Sequence, residues 1–177
     1  MLYHGSGTPG IQTLLPRQSN HDQPYVYFTD SEALATIYAH NVMTPPNGWF
    51  TYCWDKDGRL IYEEYFPGQL TEFYAGQQGY LYACDLPLRP MAQMPWVYLS
   101  DAAVPVTSCR EIPDLLEELL AWEQRGKLLI RRYETLSAAA LDTIRRIVLK
   151  EIEKDALREH PEAEYARFIH QHFPELL

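Results

Sequence analysis

Near the start of the chain an apolar beginning, Met1-Leu2-Tyr3, gives way to His4-Gly5-Ser6. These three residue types bind rather than pack. An imidazole and a hydroxyl both exchange hydrogen bonds, and a glycine leaves its peptide N–H and C=O open to an approaching molecule. A second set lies in VYFTDSEALATIY, residues 26–38, where Tyr38 follows Tyr27 by eleven residues. That separation, about three helical turns in length, spans a strand end and the helix that follows. Each residue also has an ordinary use. His4 suits a strand end, Tyr27 is a normal strand aromatic, and Tyr38 shares the helix's apolar stripe with Leu34 and Ile37. Their joint spacing is what points to a binding site.

Other chemistry is poorly supported. Ser6 and His4 are too close in sequence for a nucleophile and its base. His170 and His172 are two apart on a helical pattern and point in different directions, a poor metal pair. No glycine-rich phosphate loop of dinucleotide or Walker type is present. Cys53, Cys84 and Cys109 are odd in number and widely spaced, so they read as reduced thiols rather than a disulfide framework or a zinc site. The formal net charge of -9 over 177 residues makes nucleic acid an unlikely partner, since phosphate binding needs clustered Lys and Arg. No signal peptide and no long apolar run is visible, which leaves a cytoplasmic location without membrane contact as the expectation.

Several elements must position these residues. Residues 1–4 read as a strand. Ile11, Leu14 and Leu15 suggest one helical turn before Pro16. PYVYF is β-prone, and Asp30 or Ser31 can cap a helix running to about His40. MTPPNG breaks the chain; GWFTYCW and RLIYEEYF then flank Asp57-Gly58, a hairpin signal. QLTEFYAGQQ reads as a turn or short helix. GYLYACDL, WVYLS and VPVTSCREI read as strands. After Pro113 the period becomes helical, with Leu115, Leu116, Leu119 and Leu120 on one face as far as Gly126. KLLIRRY returns as a strand or edge segment, Ser137 caps a longer helix, and Pro161 starts a last one. Residues 1–110 are thus mostly β and the rest mostly α, an α+β pattern.

His4-Gly5-Ser6 together with Tyr27-Phe28-Thr29-Asp30 and Tyr38 resembles the ADP-ribosyltransferase fold, in the branch with a His-Tyr-Glu triad. Poly(ADP-ribose) polymerases and diphtheria toxin belong to that branch. In the polymerases a strand carries His-Gly-Ser, a later strand ends in Tyr-Phe-Ala-Asp, and a second tyrosine follows the first by eleven residues. The resemblance covers roughly the first 40 residues. It implies a split β-sheet core at 1–135, with residues 136–177 as a helical extension packed on the same domain. It also implies NAD as substrate. Tyr27 and Tyr38 would sandwich the nicotinamide ring, with cation–π attraction of about 0.5–2 kcal/mol. Gly5 and Ser6 would hold its amide, His4 the adenosine ribose, and Phe28 would line the same site. Ala35 stands where the family usually has serine, a loss of about 0.5–1.5 kcal/mol of hydrogen bonding. Arg17, by its charge alone, could reach the diphosphate.

The pattern breaks at the triad glutamate, which in the family opens a later strand and stabilises the charge that develops on the ribose. The counterpart here is PWVYLSDAAVPV, whose first residue is Pro95. Gln93 is the nearest polar substitute, giving His4, Tyr27 and Gln93 as candidate catalytic residues. Glu63, Glu64, Glu72 and Asp101 are the alternative acids. The expected activity is transfer of mono-ADP-ribose from NAD to a protein or small-molecule acceptor. The alternative is an inactive module that binds a nucleotide or a protein. The related tRNA 2′-phosphotransferases need basic residues that this acidic chain lacks.

Overall fold

A computed structural model describes residues 1–18, 23–40 and 52–177. MTPPNG, the start of the GWFTYCW run and part of the RQSNHDQ loop lie outside these residues. The elements in chain order are β1 (Leu2–Ser6), β2 (Thr13–Leu14), β3 (Val26–Phe28), α1 (Glu32–Ile37), β4 (Tyr52–Trp54), β5 (Leu60–Glu63), α2 (Gln69–Tyr74) and β6 (Gly79–Cys84). Then come β7 (Tyr98–Ser100), β8 (Val104–Pro105), β9 (Ser108–Ile112), α3 (Leu115–Gln124), β10 (Leu128–Arg131), a 3-10 turn (Tyr133–Thr135), α4 (Ala138–Lys154) and α5 (Glu164–His172). The chain is therefore mixed, with helices and several small sheets. None of the described helices is long and apolar enough to cross a membrane.

Two compact units emerge. The first is Met1–Asn41 with Tyr74–Lys127. Its main sheet has the order β1-β6-β9, all antiparallel. Alternation along the strands gives the sheet two different faces. On one, Leu2, Tyr82 and Cys84 join Leu14, Val26, Phe28 and Val104 in a buried cluster. On the other lie α1 and α3. Ser31 caps α1 by accepting from the Leu34 N–H at 3.2 Å, and Asp114 caps α3 by accepting from the Glu117 N–H at 3.0 Å. Leu34, Leu115 and Leu119 are buried, each stabilising by about 1.5–3 kcal/mol. Trp122 Nε1 donates to Thr36 Oγ1 at 3.2 Å, tying the two helices together.

The second unit is Val42–Phe73 with Leu128–Leu177. Its sheet has the order β10-β5-β4; β4 and β5 form the expected hairpin, and β10 pairs with β5 in parallel. Asp55 closes the hairpin by accepting the N–H of Asp57 and of Arg59 at 2.9 and 2.8 Å. Gly58 takes φ +75°, which the turn demands and other residues resist. Phe66 is the centre of an aromatic cluster, with Phe73 and Phe168 each at 5.8 Å and His172 stacked at 3.8 Å. α4 contributes the buried stripe Ile144, Val148 and Ile152.

The structure departs from the sequence reading in four places. Thr13–Leu14 is a strand paired with β8, not a helical turn. Leu14 is buried and Leu15 is 61% exposed, an alternation of period two. α1 stops at Ile37, and past Tyr38 the Ala39 N–H turns back to the Thr36 carbonyl at 3.0 Å, a tighter bond than the helical repeat. α5 starts at Glu164 rather than Pro161, since the Ala163 N–H closes a turn on His160 at 3.0 Å. The cut near residue 135 falls inside the second unit, because β10 joins β5 and groups residues 128–177 with the hairpin.

Buried Glu64 fastens the second unit. Its two carboxyl oxygens accept the Leu70 N–H at 3.0 Å and the Tyr133 N–H at 3.1 Å. Glu64→Gln sets an NH2 group against one of those N–H donors. The expected loss is about 1–3 kcal/mol, read as a lower midpoint in denaturant unfolding.

Candidate functional site

The site lies where β1 and β3 separate. They touch at Tyr3 and Thr29, whose N–H and C=O groups bond each other at 2.7 and 3.0 Å. In an antiparallel pair, alternate residues turn their peptide groups to the same side. Tyr3 turns towards β3, so His4 turns towards β6, where it pairs with Tyr82. Gly5 again turns its N–H and C=O towards β3. By the same count Thr29, Tyr27 and Tyr25 turn towards β1. β3 pairs with β7 on its other edge. Tyr25 bonds Arg17 instead of β1, at 3.1 and 3.2 Å. A slot therefore opens in the sheet between two bridges, Tyr3–Thr29 and Arg17–Tyr25. Tyr25 and Thr29 are four residue steps apart, with the three residues of β3 between them, roughly 13 Å at about 3.3 Å per residue.

Four of the expected residues meet there. His4 Nδ1 bonds the Tyr27 carbonyl at 2.9 Å. A carbonyl only accepts, so the ring hydrogen is on Nδ1, and Nε2 of the neutral ring is an acceptor. Burial pushes the His4 pKa below its ordinary value of 6.5; the Tyr27 bond opposes this and the nearby Arg17 charge adds to it. Gly5 offers its open peptide edge. Val26 and Phe28 join the buried cluster, so alternation sends Tyr27 to the opposite face, which α1 covers. Tyr38 caps α1 on that same face; its carbonyl carbon would lie 2.9 Å from a Cβ on Gly5.

The remaining expected residues sit around this core. Arg17 is exposed at the far bridge, its charge acting on His4. Phe28 is buried, its ring meeting His4 edge-on at 6.2 Å, so it supports the imidazole from the cluster side. Ser6 belongs to the His4 side by alternation, and its Oγ accepts the Thr8 N–H at 3.1 Å. Ala35 is buried in α1 with its backbone over Gly5. Gln93 and Pro95 lie in the exposed segment before β7.

The alternative acids are placed as follows. Glu63 pairs with Arg131 at 3.1 Å and Glu72 with His172 at 3.1 Å, and Glu64 holds two backbone N–H groups; all belong to the second unit. Asp101 is exposed in the turn after β7.

Two features were not foreseen. The Arg17–Tyr25 bridge makes Arg17 the end of the slot, and only the alternation of Tyr25, Tyr27 and Thr29 hints at it. Tyr82 also holds the loop after Ser6, donating to the Thr8 carbonyl at 2.6 Å and accepting from the Ile11 N–H at 3.2 Å. No family model matches the chain, and no curated protein or solved structure matches it either.

Gly5 is also a packing position. A Cβ there would stand 1.9 Å from the Ala35 carbonyl oxygen and 2.7 Å from the Ala39 nitrogen. Gly5→Ala must push helix and strand apart, with an expected loss of about 3 kcal/mol in unfolding free energy. The depressed His4 pKa has a definite sign in stability. Its contribution is present above the ordinary value of 6.5 and is lost as pH falls from there towards the folded value. His40 and His172 are also depressed, chiefly by burial, and act in the same direction. Unfolding free energy should fall between about pH 7.5 and about pH 5.5, and His4→Asn should reduce that fall.

Proposed function

We propose that the first unit binds NAD in the slot between β1 and β3 and is an ADP-ribosyltransferase-like domain. The observation that supports this reading is the open peptide edge of Gly5. A carboxamide needs an acceptor for its NH2 and a donor for its C=O, and one glycine peptide edge turned to one side supplies both. Tyr27 and Tyr38 reach the same face beside that edge, as a pair holding a flat cationic ring must. His4 Nε2 is an acceptor for a ribose hydroxyl. Arg17 ends the slot with a positive charge suited to a diphosphate. In this reading the reaction breaks the nicotinamide–ribose bond and moves one ADP-ribose to a protein or small-molecule acceptor.

A second reading, a module that binds a nucleotide and performs no chemistry, is favoured by Pro95. The position of the expected acid carries no side-chain oxygen, and Gln93 lies exposed two residues before it.

Calorimetric titration with NAD, followed by chromatography for released nicotinamide, separates the readings. Binding that is lost in Tyr27→Ala, with nicotinamide released over time and release abolished in His4→Ala, fits the transferase. Saturable binding with no release fits the module. Absence of NAD binding by the intact protein sinks both nucleotide readings.

A further inference from the structure

We propose that His4 is a positioning residue that keeps the sheet split, its imidazole occupying the acceptor that would otherwise zip β1 to β3. This goes beyond holding a ligand, and it rests on the NAD reading only for the identity of the ligand. From the Tyr3–Thr29 pair, the next bonded pair of an antiparallel ladder is Gly5 with Tyr27. That pair would bond the Gly5 N–H to the Tyr27 carbonyl and the Tyr27 N–H to the Gly5 carbonyl. Instead, the Tyr27 carbonyl accepts from His4 Nδ1 at 2.9 Å. The ring comes from the residue just before Gly5, so it reaches into the gap from β1 itself. Phe28 stands opposite His4 in the same register and meets the ring edge-on at 6.2 Å, which fixes its orientation. At the following bonded position Tyr25 is already taken by Arg17. The gap is thus held at both ends, and Gly5 keeps both peptide groups for a ligand.

Removing the ring frees the Tyr27 carbonyl to accept from the Gly5 N–H, and the slot closes. Asparagine tests this separately from ligand contact. Its Nδ2 stands off Cγ much as Nδ1 does, so His4→Asn keeps a donor for Tyr27 but has nothing in place of Nε2. The readouts are hydrogen exchange at the Gly5 amide and binding of nicotinamide alone, which has no ribose for Nε2 to meet. In His4→Ala, Gly5 exchange should slow by about tenfold or more and nicotinamide affinity should fall by about tenfold or more. In His4→Asn both should stay within about threefold of the parent protein. His4→Val, a strand former without a donor, replaces the alanine variant if that one does not fold. Unchanged Gly5 exchange in the donor-free variant, or an asparagine variant that behaves like it, overturns the proposal. If the parent protein binds neither nicotinamide nor NAD, the NAD reading fails while the exchange measurement still decides the role of His4.

Discussion

The hydrogen bond from His4 Nδ1 to the Tyr27 carbonyl stands where a β-ladder would otherwise continue. A peptide N–H and C=O left without partners beneath a helix are unfavourable unless something compensates. Here one side chain takes the place of a strand, and the neighbouring peptide of Gly5 is left available. The arrangement needs no unusual residue. It needs a short planar donor on the strand and a reason for the strands to diverge, which the Arg17–Tyr25 bridge supplies.

The opposite side of Gly5 is as constrained as its edge. α1 crosses so closely that its backbone fills the space of a side chain. Serine at the helix start, buried Leu34 and Ile37, and the Trp122 bond to Thr36 hold α1 in that seat. Tyr38 therefore arrives beside the slot as a consequence of packing. Ala35, buried under the same pressure, has its backbone where the helix and strand come nearest. The two tyrosines share a face for different reasons: Tyr27 by strand alternation, and Tyr38 by the length of the helix.

What the sequence reveals follows how local each signal is. Ser31 and Ser137 cap the helices that follow them, and Asp57-Gly58 makes the hairpin, because caps and turns are decided within a few residues. The His4-Gly5-Ser6 and Tyr27–Tyr38 spacings are legible for the same reason. The slot is not, because it depends on which way peptide groups turn in segments far apart in the chain. β2 escapes notice because two residues carry almost no periodicity. Glu63, Glu64 and Glu72 read as free acids until their partners are visible: Arg131, the Tyr133 N–H and His172 lie some seventy to a hundred residues away. All three are held by partners within the second unit.

The chain crosses between the units three times, at residues 41–42, 73–74 and 127–128. During synthesis on a ribosome, the hairpin of β4 and β5 emerges long before its parallel partner β10, and longer still before the helix that brings Phe168 and His172 to Phe66. The second unit must therefore wait, with apolar surface bare, while residues 74–127 of the first are being made. Its closure comes late, and a nascent chain stalled before residue 128 presents that unfinished surface to chaperones.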